Sequence, residues 1–136
     1  TLKFKLDRPL YTHVWLRWLV PDQKLPLGMI EEIENAEEIA VSAISCWEVA
    51  YLVKKKRIEL SRSIGEWMTA ALTGSGISVV YVSDTVAVTS ANLPDIHRDP
   101  ADRIIIATAI IEDFHLASLD SRFKEYAALS GRLIAE

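Results

Sequence analysis

The sequence predicts a single α/β domain, a three-layer α/β/α sandwich built on a central parallel sheet. Two observations carry this expectation. Short β-branched or alternating runs recur between longer stretches of helical periodicity, an order that buries a parallel sheet between helical layers. No internal repeat, low-complexity stretch or linker divides the 136 residues, a length suited to one domain with a substantial core.

The elements follow in order. Residues 2–6 alternate Leu2, Phe4 and Leu6 with lysines, which predicts a first strand ending at Asp7. THVWLRWLV, residues 12–20, predicts a helix stopped by Pro21. An acidic amphipathic helix is expected over 28–38 and a brief buried strand over 39–42. Helices follow over 45–56 and 63–72, the latter stopped by Gly74 and Gly76. ISVVYV, residues 77–82, is the clearest strand, being β-branched and aromatic. Residues 84–92 read as helix, and Asp99-Pro100 opens a strongly apolar helix to about Asp113. A strand over 115–119, a short helix over 122–129 and an edge strand over 132–134 complete the chain.

Composition limits function. The formal net charge of −4 argues against a protein held to nucleic acid by bulk electrostatics. It leaves room for clustered carboxylates that hold divalent cations. The single cysteine, Cys46, cannot form an internal disulfide, so a reducing, cytoplasmic compartment is expected. No apolar run is long enough to cross a bilayer, and TLKFKLDRPL lacks the apolar core of a signal peptide.

Four acids, Glu48, Asp99, Asp102 and Asp120, are candidates at the ends of buried elements. Glu48 lies in SCWEVAYLV and shares a helix face with Ile44, Tyr51 and Leu52. A carboxylate there needs either a basic partner or a cation. Asp99 has the position of an N-cap with Pro100 at the first helical residue. Asp102, two residues on, complements the helix dipole or points into a cleft, and capping explains Asp99 better than Asp102. Asp120 ends a strand in SLDSRF, where an aspartate commonly closes an Asx turn. No basic residue is expected beside Glu48 or Asp120. Carboxylates brought together repel unless a cation neutralises them, and oxygen ligands select Mg²⁺ or Mn²⁺.

THVWLRWL, VSAISCWEVAYLVKKKRIEL, LPDIHRDPADRIIIATA and LASLDSRF, in that order, resemble a bacterial PIN-domain toxin of the VapC type. The resemblance runs from Thr12 to about Phe123, and HRDPADR and SCWE are its most specific phrases. It implies a magnesium-dependent endoribonuclease, the toxin of a toxin–antitoxin pair, working as a homodimer and held by a cognate antitoxin. It assigns Glu48, Asp102 and Asp120 to the metal site, with Asp99 in support. One position departs from the pattern: the family has an aspartate directly before the THVWL motif, and this chain has Tyr11. DRPL, with a proline and two charges, makes a poor buried strand. KFKL followed by Asp7 is therefore the expected strand and ligand, with RPLY as an insertion. The alternative is a three-acid site with Tyr11 in the family position.

Other features carry less. Cys46 reads as a buried, inert thiol, and His97 as a loop residue turned to solvent. Trp15, Trp18 and Trp67 read as core or dimer packing. Lys54, Lys55, Lys56 and Arg57 form a solvated run after the Glu48 helix, with phosphate tracking by Lys54, Lys55 and Arg57 the sharper reading. A phospho-acceptor receiver domain would require an acid pair after its first strand, which is not found. A catalytically impaired relative that only binds RNA or an antitoxin is the competing function.

Overall fold

The computed structural model describes residues 7–10, 15, 25–36, 38–73 and 77–134. Its strands are β1 (Asp7–Leu10), β2 (Glu38–Ser42), β3 (Ser78–Val80), β4 (Leu116–Ala117) and β5 (Leu133–Ile134). They form a five-stranded sheet in the order β3-β2-β1-β4-β5, and every pairing is parallel. The helices are α1 (Leu27–Glu34), α2 (Ala43–Lys54), α3 (Ile64–Thr73), α4 (Asp84–Ala91) and α5 (Pro100–Ile111). This is the α/β architecture expected from the sequence. No helix among the described residues is long and apolar enough to cross a membrane.

The first strand corrects the sequence reading. DRPL itself is the strand, aligned with β2 from Asp7↔Glu38 to Leu10↔Val41. Asp7 therefore lies within β1 instead of following it, three residues before Leu10. Proline is tolerated because β1 pairs with β4 only at Leu10↔Ala117. Over Asp7–Pro9 the strand carries one ladder, and a strand with an unpaired side can hold a residue that lacks an N–H. The expected strand over 2–6 lies outside the described residues, as do Tyr11, His13 and Trp18.

The α5 helix is the centre of the core. Asp99 caps it, its Oδ1 accepting from the Ala101 N–H at 2.9 Å, with Pro100 at the first position as expected. Ala101, Ile105, Ile106, Ala107 and Ala109 are buried along it. The cluster extends to Val41, Val49, Leu116, Phe123 and Leu129, and to Trp15, which is helical and meets Trp67 with ring centroids 5.5 Å apart and planes tilted by 54°. Two expected boundaries move. The acidic helix stops at Glu34, where Asn35 caps it, and the strand starts at Glu38. The expected helix over 122–129 is two short 3₁₀ turns, Ser121–Glu125 and Ala127–Leu129, divided at Tyr126.

Because Ile105 is fully buried at the middle of this cluster, Ile105→Ala should lower unfolding free energy by about 2–5 kcal/mol. Urea denaturation with an unchanged m-value checks it.

Candidate active site

Parallel sheets present their sites beyond the carboxyl ends of the strands. Ser42 ends β2 and caps α2, its Oγ accepting from the Ile44 N–H at 3.2 Å. Glu48 follows on α2 and is half-buried. Ile44, one turn earlier, lines a cavity of about 260 Å³ with Trp47, Asp99, Pro100 and Ala101. Glu48 thus occupies the flank of α2 that faces the opening turn of α5. Asp102 stands in that turn and is only 7 % exposed.

Asp120 follows β4 and caps the first 3₁₀ turn, its Oδ1 accepting from the Arg122 N–H at 2.9 Å. The Asx-turn reading is correct, but Asp120 does more. Arg122 grips it with a fork, Nε to Oδ1 at 3.1 Å and Nη2 to Oδ2 at 2.8 Å. His97 Nε2 donates to Oδ2 at 2.9 Å. The expectation that no basic residue stands beside Asp120 is therefore corrected. Arg122 was overlooked because a fork two residues from its acceptor forms only once the turn brings the side chain back. These hydrogen bonds, Arg122's first, hold the Asp120 carboxyl well below the usual carboxylate range.

His97 is the functional residue that sequence reasoning placed wrongly. It is 2 % exposed, not solvent-facing. Phe123 meets its ring edge-on and Tyr126 stacks on it. The Tyr126 hydroxyl accepts from the His97 backbone N–H at 3.1 Å and lies 2.8 Å from Nδ1. Asp120 can only accept, so Nε2 carries a proton in either charge state of the ring. In the neutral ring Nδ1 is then the acceptor, and the Tyr126 O–H donates to it. Burial raises the Tyr126 phenol, and Asp102 lies near enough to push it further. Tyr126, His97 and Asp120 thus form one hydrogen-bonded group behind the site.

Arg103 fixes the segment that delivers His97. Its Nε donates to Ser90 O, Nη1 to Pro94 O and His97 O, and Nη2 to Ala91 O and Leu93 O, at 2.7–3.2 Å. Burial pushes the Cys46 thiol up, which agrees with the inert reading.

The predicted residues come together unequally. Asp120 joins the His97–Tyr126 network, Asp102 is nearly buried in the first turn of α5, and Glu48 flanks that turn. Asp7 lies within β1, paired with Glu38 of β2. Asp99 is committed to its cap. The donor set suits a hard divalent cation in kind, being carboxylate oxygen without thiolate. It does not close around one: among the described residues no three acids, histidines or cysteines could hold a metal ion together. Moreover, four donors already fill the roughly four lone-pair directions of Asp120.

Residues 10–129 match the PIN domain family. The chain belongs to that family. It is 35% identical over 116 residues to Ribonuclease VapC22 of Mycobacterium tuberculosis, covering 85% of this chain and 88% of that protein. Among solved structures it is similar to VapBC2 from Rickettsia felis bound to a promoter DNA fragment, with a TM-score of 0.69 at 19% identity, covering 95% and 98% of the two chains. It is also similar to a toxin-antitoxin complex from Klebsiella pneumoniae, with a TM-score of 0.65 at 18% identity, covering 93% and 95%. These two likenesses bear on fold alone. PIN membership implies dependence on a divalent metal.

Arg122 is the largest cause of Asp120's depressed carboxyl. Arg122→Gln should raise that carboxyl toward the ordinary value, read by carbon NMR titration of the metal-free protein. A depressed carboxyl stabilises the fold above its unfolded value, near pH 4, and loses that contribution as pH falls. The stability gap between wild type and Arg122→Gln should therefore be full above about pH 4, begin to narrow below it, and close only in more acid solution where the wild-type carboxyl itself is protonated.

Proposed function

We propose that this PIN domain is a divalent-metal-dependent endoribonuclease and the toxin of a toxin–antitoxin pair, with Glu48, Asp102 and Asp120 as its acids. The supporting observation is that the fold holds two of the expected acids, Asp102 nearly buried in the first turn of α5 and Asp120 kept ionised by Arg122 and His97. Its relative named a ribonuclease and the structural neighbour named a toxin-antitoxin complex favour RNA as substrate and a cognate antitoxin as partner.

In this reading Asp102, Asp120 and Glu48 supply oxygen ligands to Mg²⁺ or Mn²⁺, which when bound lowers the pKa of water and offsets charge on the attacked phosphate. Asp120 must exchange at least one present donor to serve. Arg122 is the one placed to leave, since its side chain is 54% exposed while that of His97 is enclosed. His97 is a positioning residue: it holds the Asp120 carboxylate in one orientation while Tyr126 holds the ring. Homodimerisation and a cytoplasmic setting complete the proposal.

Asp102→Asn and Asp120→Asn keep shape and remove charge. Each should lower RNA cleavage at least about a hundredfold, the loss of a few kcal/mol of transition-state stabilisation. The fold should persist by circular dichroism, and excess EDTA should abolish wild-type cleavage. Cleavage that survives EDTA, or both substitutions, would refute the mechanism. His97→Gln should cost roughly 10–100-fold in metal affinity, read by calorimetry.

One observation favours a weaker enzyme or a binding module. Tyr11 stands at the sequence position where the family places its aspartate, and Asp7 lies within β1, three residues before Leu10. Tyr11→Asp should therefore strengthen Mn²⁺ binding and raise cleavage, whereas Asp7→Asn should change neither. A gain from Tyr11→Asp over an inactive wild type would establish the binding-only reading.

A further inference from the structure

The α2 helix carries a second feature that the acids do not use. Trp47, Tyr51 and Lys55 recur at intervals of four, so they form one ridge. Trp47 and Tyr51 are stacked, with centroids 5.0 Å apart and planes 12° from parallel. The Lys55 ammonium lies over the Tyr51 ring, 5.5 Å from its centroid. Both aromatics stand open to solvent, Trp47 by 56% and Tyr51 by 43%. A core role is therefore excluded for them. Trp47 also lines the cavity against Asp99, Pro100 and Ala101, at the mouth of the α5 turn that bears Asp102. The ridge thus runs from the acids to the exposed cations Lys54, Lys55, Lys56 and Arg57.

Backbone geometry adds an independent observation. Lys55 caps α2, the Lys56 N–H donates to Val53 O and the Arg57 N–H to Leu52 O. This is a Schellman ending, whose left-handed position glycine usually fills. Here Lys56 occupies it at φ 57. A side chain there is strained relative to glycine. The chain keeps a cation at a site where local geometry prefers none, beside three others.

We propose that the Trp47–Tyr51–Lys55 ridge is the entry platform for single-stranded RNA: a base stacks on Trp47, and the cations from Lys54 to Arg57 follow the phosphates away from the acids. It rests on the ribonuclease reading of those acids. Stacking on an aromatic face tolerates any base, while cations track the backbone, the combination by which sequence-tolerant single-strand binders work. Charge decides between RNA and a protein occupant. In a chain of net charge −4, four consecutive cations beside paired aromatics complement a polyanion. Tyr51, held by Lys55, backs Trp47 so that the platform is ordered before a strand arrives.

The test measures binding apart from cleavage. Fluorescence anisotropy of a labelled single-stranded oligoribonucleotide of mixed sequence, in EDTA, reads the platform; adding Mg²⁺ reads the acids. Trp47→Ala should weaken binding by about tenfold or more, and Trp47→Phe much less, because a π-face remains. Lys56→Gly should weaken binding without lowering the melting temperature, and should reduce the slope of log K against log salt by about 0.7. Unchanged binding by Trp47→Ala in a protein that cleaves overturns the platform and leaves the ribonuclease reading intact. Trp47-dependent binding without cleavage in Mg²⁺ supports the platform and overturns the ribonuclease reading. Loss of self-association by Trp47→Ala in light scattering, with RNA binding unchanged, overturns the platform in favour of a protein interface.

Discussion

Arg103 uses all five of its N–H donors on five backbone carbonyls, those of Ser90, Ala91, Leu93, Pro94 and His97. A helix that ends leaves its last carbonyls without partners, and α4 ends at Ala91. The guanidinium, projecting from α5, closes that end and fixes the connection leading to His97. Hydrogen bonds from a charged donor contribute roughly 1.5–3 kcal/mol each, so several together order a loop that has little else to hold it. The nearby Asp95 stands 4.0 Å from Arg103 and is fully solvated, which makes it a minor partner. Because Arg103 directly follows Asp102, one turn of α5 both presents an acid and clamps the segment that orients the other.

That arrangement addresses a conflict between charge and burial. A carboxylate taken from water is costly unless hydrogen-bonded or paired. Asp120 is satisfied by Arg122 and His97 and stays ionised, which is the state a cation ligand needs. The same donors occupy the lone pairs a cation would use, so satisfaction of the fold and readiness for metal compete at one carboxylate. Arg122 is the adaptable member, with a long and largely exposed side chain. His97 cannot yield in the same way, because Tyr126 and Phe123 enclose its ring.

Much of this was legible in the sequence where one local signal sufficed. Asp99-Pro100 before a run of buried apolar residues specified the cap, the first turn and the burial of α5. The β-branched ISVVYV located β3, although only Ser78–Val80 are laddered. Glu48, Asp102 and Asp120 were legible as acids at element ends. What was not legible depends on residues distant in the chain. His97 becomes a buried ligand-holder only because Tyr126, 29 residues later, meets both its nitrogen and its amide. Likewise DRPL looked unfit for a central strand, and only the two-residue length of β4 explains why proline survives there. Strand propensity describes a residue with ladders on both sides, and Asp7–Pro9 have one.

In the proposed reading, the α2 helix serves chemistry and recognition together. A helix offers neighbouring side chains about 100° apart around its axis, so Glu48 and Trp47 leave adjacent flanks of the same turn. Glu48 is half-buried toward α5, while Trp47 stands at the cavity rim and continues through Tyr51 to Lys55. Eight helical rises carry the chain from Trp47 to Lys55, a span of about 12 Å, enough to pass a strand from an acidic site to a basic exit. An acidic protein could not retain a polyanion by overall charge. It can do so by placing its few consecutive cations at the far end of a stacking surface, where they attract phosphate without neutralising the carboxylates that must bind metal.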